Sequence, residues 1–218
     1  MTISESTAER YTLHDPDVRL MLEVRDDSAT AFEELMRRYQ DRLVTVLEHL
    51  VGHREQAEDL AQDVFLRVYR SRKSYIPGSK FSTWLFTIAN NAASNSRRSR
   101  SRRKEVNVDS GASLSTGAFG IEQMAQAASG FMPARLADKA EMRDIVREAI
   151  ATLSERQRMA VLLCKFESMS YEEIAEAMEM TPQAIKSLLS RARGNLREVL
   201  EPYLDSGSRE RLQSNEGN

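Results

Sequence analysis

Residues 170–193 read SYEEIAEAMEMTPQAIKSLLSRAR. The four acids of this stretch, Glu172, Glu173, Glu176 and Glu179, all precede Thr181, and its three bases, Lys186, Arg191 and Arg193, all follow it. Ser170 with Glu173 forms a capping box: the serine oxygen takes an early backbone N–H while the glutamate reaches back to the serine N–H. Ser154 with Gln157 repeats the pattern upstream. Helices therefore start near Glu155 and Tyr171. Thr181-Pro182 marks a third start, with threonine as N-cap and proline at the first helical position, where its missing N–H costs nothing. Only Glu179 and Met180 separate Met178 from Thr181, which leaves room for a tight turn alone. Helix, tight turn, helix is the helix-turn-helix layout.

The second of these helices has two chemically distinct faces. Ile185, Leu189, Ala192 and Leu196 are spaced 4, 3 and 4 apart and bury one side. The other side shows Gln183, Lys186, Ser187, Ser190, Arg191 and Arg193, residue types that meet phosphates or pair with base edges in a major groove. No acid follows until Glu198, as expected of a surface that approaches polyanionic DNA. The acidic first helix suits solvent or a basic partner. A three-helix bundle with merely solvated lysines and arginines is the plainer alternative; the turn and the charge asymmetry together favour DNA binding.

Composition narrows the rest. At 218 residues and a net charge of −2, the chain fits one or two domains, and any affinity for an anionic partner comes from local patches. The single cysteine, Cys164, forms no internal disulfide, which suits a reducing compartment; in the apolar run VLLC it reads as buried and inert. The opening MTISESTAER lacks the apolar run of a secretion signal. The longest apolar stretch, Met159 to Cys164, falls far short of the roughly 18 residues of a membrane span. These features point to a soluble cytoplasmic protein.

Apolar residues recur at intervals of three and four nearly everywhere outside the middle, so the fold class is all-α. Phe32, Leu35, Met36, Tyr39, Leu43, Val46, Leu47 and Leu50 make one stripe; Leu60, Val64, Phe65 and Val68 make another. A third runs through Phe81, Leu85, Ile88 and Ala92, after the Pro77-Gly78 break. Residues 97–104, RRSRSRRK, hold six bases, and from Asn107 to Pro133 only Asp109 and Glu122 are charged. Four of the nine glycines fall in that interval, a linker composition. The reading is two small helical domains, 15–100 and 138–204, joined by a flexible linker at 101–137 and followed by a disordered tail at 205–218.

Residues 170–193 resemble the DNA-binding region four of bacterial sigma factors, specifically the extracytoplasmic-function (ECF) subgroup of the sigma-70 family; ATLSERQRMAVLLCKFESMS resembles what precedes it there. SATAFEELMRRYQDRL, AEDLAQDVFLRVYR and FSTWLFTIANNAASNSRRS look like successive parts of that family's region two. The resemblance implies a promoter-recognition factor that binds core RNA polymerase, with an anti-sigma factor as a further partner, no cofactor and no catalysis of its own. It implies that AEDLAQDVFLRVYR docks on the clamp helices of the polymerase largest subunit through Asp59, Gln62, Asp63 and Leu66, while Leu60, Val64 and Val68 turn inward. It places Lys80, Phe81, Ser82, Thr83, Trp84 and Asn91 at the −10 element, where flipped bases need pockets and π-faces. Core packing is the competing reading for Phe81 and Trp84. Arg97, Arg98 and Arg100 would hold backbone phosphates, and region four would read the −35 element.

Three positions depart from the family pattern. Glu179 stands where the family often has glycine; if that turn needs φ > 0, a side chain there costs of order 1 kcal/mol. Leu188 and Ala184 stand where a basic residue and a threonine are common, so contact with a thymine methyl replaces a polar contact. A stand-alone dimeric helix-turn-helix regulator is the alternative function, but it leaves the clamp-helix segment unexplained. His49 and His53 have the spacing of a metal pair, yet Gly52 lies between them and no third ligand cluster accompanies them.

Overall fold

The computed structural model describes the backbone of residues 5–107 and 133–213 and the side chains of 8–99 and 142–203. Within these, α1 (Glu5–His14), α2 (Pro16–Arg25), α3 (Ala29–Val51), α4 (Arg54–Ser71) and α5 (Phe81–Asn107) form the N-terminal unit. The C-terminal unit contains α6 (Pro133–Thr152), α7 (Glu155–Lys165), α8 (Tyr171–Ala177) and α9 (Pro182–Gln213). No strand occurs among the described residues.

The helix boundaries follow local chemistry. Ser28 caps α3 by accepting from the Ala31 N–H at 3.3 Å, and Gly52 closes the same helix at φ +84°, a conformation that costs glycine little. That break puts His49 inside α3 and His53 at the cap of α4, so the two histidines do not share a helix face. Both capping boxes form as the serines predict, Ser154 with Gln157 and Ser170 with Glu173. Thr181 Oγ1 accepts from the Ala184 N–H at 3.2 Å and starts α9 at Pro182.

The expected domain edges shift. Helix α5 continues through the basic run to Asn107, since Arg, Lys and Glu are good helix formers. Helix α6 begins at Pro133 and α9 runs on to Gln213, so 101–107, 133–137 and 205–213 are helical where the sequence suggested linker and tail. Residues 108–132 and 214–218 lie outside the described residues.

The two units pack together. Helix α3 lies against α6 and α7, and α5 lies against α8. One continuous buried cluster runs from Val18, Leu35 and Leu47 through Phe81, Leu85 and Phe86 to Leu162, Ile174 and Ile185. Burial of so many aliphatic side chains, at about 25 cal/mol per Å² of apolar surface, is the main force holding the helices.

Candidate polymerase and promoter interfaces

Helix α4 separates its residues by periodicity. Val64, Phe65 and Val68 are buried and Leu60 packs half-buried against the core, while Asp59, Gln62 and Leu66 are exposed. Asp63 is half-buried and pairs with Arg67 one turn on at 2.8 Å, a strut along the helix surface. The four residues expected at the polymerase thus share one outer face. Leu66 is 52% exposed, and beside it Tyr69 stacks on Phe32 at 5.1 Å with the Arg72 guanidinium 4.0 Å from its ring. A leucine left in water between carboxylates suits a protein surface with a basic rim.

The start of α5 is an aromatic nest. Phe81 lies edge-on to Tyr39, with ring centroids 5.2 Å apart, and 6.1 Å from Trp84, which in turn meets Tyr75 at 4.8 Å. Phe81 and Thr83 are fully buried, so neither offers a face to a nucleobase in this structure. The apolar stripe that includes Phe81 explains this: it points down into the bundle, and the core reading holds for it. Trp84 and Ser82 are half-buried and Asn91 and Lys80 are exposed. A cleft of about 630 Å³ opens between Tyr75, Ile76, Ser79, Trp84, Ile88 and Asn91. Tyr75 and Ile76 belong to the stretch SYIPGSKFSTWLFTIANN that the family likeness puts at the −10 element, though neither is among the residues singled out there; Ile76 is 62% exposed. The hydroxyl of Tyr75 and Oγ1 of Thr83 are buried without hydrogen-bond partners among the described atoms.

Three basic groups of the N-terminal unit are engaged by acids of the other unit. Lys80 Nζ pairs with Glu173 at 2.7 Å, Arg97 pairs with Glu155, and Arg42 pairs with Glu167. Asn91 Nδ2 donates to Glu179 Oε1 at 3.3 Å. Every base in these ion pairs comes from the N-terminal unit and every acid from the C-terminal unit. Partial burial disfavours the Glu173 carboxylate, but hydrogen bonds from Lys80 and the Ser170 backbone outweigh it and hold the group below the usual range. The Lys80 ammonium is raised in turn, chiefly by its bond to Glu173. One contact runs the other way: Arg158 Nη1 donates to the His49 carbonyl at 2.9 Å, at the end of α3. Of the expected phosphate binders, Arg97 is thus paired, Arg98 is exposed beside it, and the side chain of Arg100 lies outside the described residues.

Helix α9 keeps its polar face open. Gln183, Lys186, Ser187, Ser190, Arg191 and Arg193 are all exposed. Among the described residues no acid pairs with Lys186, Arg191 or Arg193, and Arg191 and Arg193 hydrogen-bond only carbonyls of their own helix, both at 3.4 Å. Leu188 is buried, 7% exposed, with Ile185, Leu189 and Ala192, and it faces the interdomain cleft with Met178 and Met180. In this arrangement Leu188 presents no methyl contact outward, because the inner face of α9 is one residue wider than the 4-3-4 spacing suggested. Glu179 has φ +53°, the left-handed conformation its turn demands.

Comparison with known proteins matches the same two segments. The family models for sigma-70 region 2 and for sigma-70 region 4 match residues 35–103 and 143–196. The RNA polymerase sigma factor CarQ of Myxococcus xanthus is 36% identical over 81% of this chain and 92% of its own. The ECF RNA polymerase sigma-E factor of Haemophilus influenzae is 30% identical over 86% of this chain and 97% of its own. Among solved structures, the sigma factor RpoE of Bartonella quintana, crystallised in complex with the anti-sigma factor NepR, aligns with a TM-score of 0.59 at 28% identity, covering 78% of this chain and 96% of that one. Two family segments in the right order, with relatives aligned over more than four-fifths of the chain, place this chain in the ECF group of the sigma-70 family of transcription initiation factors.

Proposed function

We propose that this chain joins core RNA polymerase through α4 and positions two separate promoter readers, with no catalytic step of its own. Asp59, Gln62, Asp63 and Leu66 meet the clamp helices of the largest subunit. Lys80, Ser82, Trp84 and Asn91 around the α5 cleft receive bases of the −10 element, with Phe81 and Thr83 supporting them from beneath and Arg97 and Arg98 holding phosphates. Gln183, Lys186, Ser187, Ser190, Arg191 and Arg193 read or anchor the −35 element. Region two covers 15–100 and region four 138–204, with α5, α6 and α9 running beyond those bounds. The place of work is the cytoplasm; among the described residues no helix is long and apolar enough to cross a membrane.

The observation that carries the reading is the pairing of an exposed acidic-apolar face on α4 with an acid-free polar face on α9 in one chain. A stand-alone regulator needs only the second. The closed arrangement adds a constraint: Lys80 and Arg97 bond Glu173 and Glu155, so these carboxylates compete with phosphate for both groups until the units part. Polymerase, by seating the two units at separate positions, would supply that parting. An anti-sigma partner would act by holding the units together.

Promoter-selective run-off transcription with purified core polymerase tests the proposal. The parent chain is expected to direct initiation, and Asp59→Ala with Gln62→Ala to weaken polymerase pull-down about tenfold with native circular dichroism, in line with loss of interface contacts. Undiminished pull-down by that folded double variant would remove the clamp assignment.

A further inference from the structure

Helix α5 begins at Phe81, and the residue before it, Lys80, has a side chain that only donates hydrogen bonds. It cannot cap the helix it precedes. The cap comes instead from 66 residues upstream: Asp15 Oδ2 accepts from the Phe81 N–H at 3.0 Å. The other oxygen of the same carboxylate, Oδ1, accepts from the Asp17 N–H at 2.9 Å and caps α2. One side chain therefore satisfies the first turns of two helices. Its backbone is equally committed, donating to the Tyr11 carbonyl at 2.9 Å and accepting from Arg19 at 3.3 Å.

The neighbouring aspartate completes the grip. Asp17 Oδ2 accepts from the Tyr39 hydroxyl and Oδ1 from Arg38, each at 2.5 Å, and the Tyr39 ring lies edge-on to Phe81. The first turn of α2 thus holds Phe81 by its backbone through Asp15 and by its ring through Asp17 and Tyr39. Phe81 sits between Lys80 and Ser82 and one turn before Trp84, which lines the cleft. Asp15 and Asp17 lie before the segment that matches region two, and nothing in that match assigns them a role.

The geometry points to Asp15 as a positioning residue for −10 recognition: it fixes where α5 starts and so where Lys80 and Trp84 stand relative to the incoming strand. This rests on the −10 reading proposed for the cleft. Asp15 itself touches no nucleic acid in that scheme; it acts through the Phe81 N–H. Asparagine at this position keeps one acceptor oxygen and presents an amide donor to the other N–H, so it preserves size and loses one of the two caps. Alanine loses both.

The test uses holoenzyme assembled from core polymerase and the full chain, with Asp15→Asn and Asp15→Ala. Affinity is measured for core polymerase, for a −35 duplex, and for a single-stranded oligonucleotide carrying the non-template −10 sequence, against a scrambled strand. A lost cap is expected to lower −10 strand affinity about fivefold for Asp15→Asn and more for Asp15→Ala, with polymerase and −35 affinities within about twofold of the parent. A folded Asp15→Asn holoenzyme that binds the −10 strand like the parent overturns the inference, and so does a parallel fall in all three affinities, which marks a structural role only. Asn91→Ala separates the two readings. If the parent favours the −10 strand and Asn91→Ala loses that preference while Asp15 variants keep it, only the Asp15 inference fails. If the parent never discriminates, the cleft reading fails and takes the inference with it.

Discussion

The two surfaces proposed to meet DNA are built from similar residues and stand in opposite states. Along α5 and the residue before it, Lys80, Asn91 and Arg97 each bond a glutamate of the other unit. Along α9, the face holding Lys186, Arg191 and Arg193 is exposed and bonds no acid among the described residues. The glutamates that cover the first surface sit on α7, α8 and the turn before α9, so the module that carries the free reader also plugs the other. Of the acids on α8, Glu173 has a basic partner in cis, while Glu172 and Glu176 are exposed. The contrast teaches that the state of the basic groups of region two is set by where the acids of region four point, more than by how many bases region two displays.

The contrast is most sharply broken at the open surface. Lys186→Ala and Gln183→Ala, near the start of α9, are expected to cost roughly 1–3 kcal/mol at one position of the −35 element and to relax preference there. Arg191→Ala, nearly two turns in, is expected to weaken all promoters alike and to lower the salt slope by about one unit. Holoenzyme transcription on a library of −35 variants reads both. If Arg191→Ala alone alters sequence preference, α9 enters the groove in another orientation.

A middle-sized effect lies at the covered surface. Exposed ion pairs contribute roughly 0.2–1 kcal/mol each, so closure is held by several weak bonds and an apolar contact. Changing Glu155, Glu173 and Glu179 together to glutamine should raise the free chain's affinity for a −10 single strand about three- to tenfold. Binding to a −35 duplex should stay unchanged. Fluorescence anisotropy on the two probes decides it: equal gains on both would mean that added positive charge, and not uncovering, is responsible.

The smallest expected effect concerns His49 at the joint between α3 and the C-terminal unit, where its ring lies 6.0 Å from Phe166. Burial, then the charges of Arg147 and Arg158, lower the imidazole from its ordinary 6.5. An open chain therefore binds the His49 proton better than a closed one, so closure is fullest above about pH 6.5 and weakens as pH falls below it. The interdomain distance, followed by spin-label or fluorescence pairs between pH 7.5 and 5.5 (roughly one unit either side of that value), should lengthen in the parent and stay flat in His49→Phe. An identical response in both would assign the change to other groups.

What could be read from the sequence was what depends on neighbours along the chain. The capping boxes at Ser154 and Ser170, the start at Thr181-Pro182 and the inward stripe of α4 are local, and each forms where the spacing puts it. The stripe through Phe81 and Leu85 was equally legible, and both side chains are buried where the periodicity puts them. Glu179 shows the strain that a non-glycine residue in that turn implies, with φ +53°. What the sequence did not show was the joining of the two units, because Arg97 and Glu155 or Arg42 and Glu167 meet only through tertiary packing, 58 and 125 residues apart. The double cap by Asp15 is hidden for the same reason.

The direction of those interdomain pairs has a consequence in time. Each base precedes its acidic partner in the chain, so during synthesis the basic groups leave the ribosome first. At about 5–20 residues per second, separations of 58 to 125 residues amount to roughly 3–25 s. For that interval a newborn region two presents Arg42 and Arg97 uncovered, and a chain stopped before Glu155 would present them permanently.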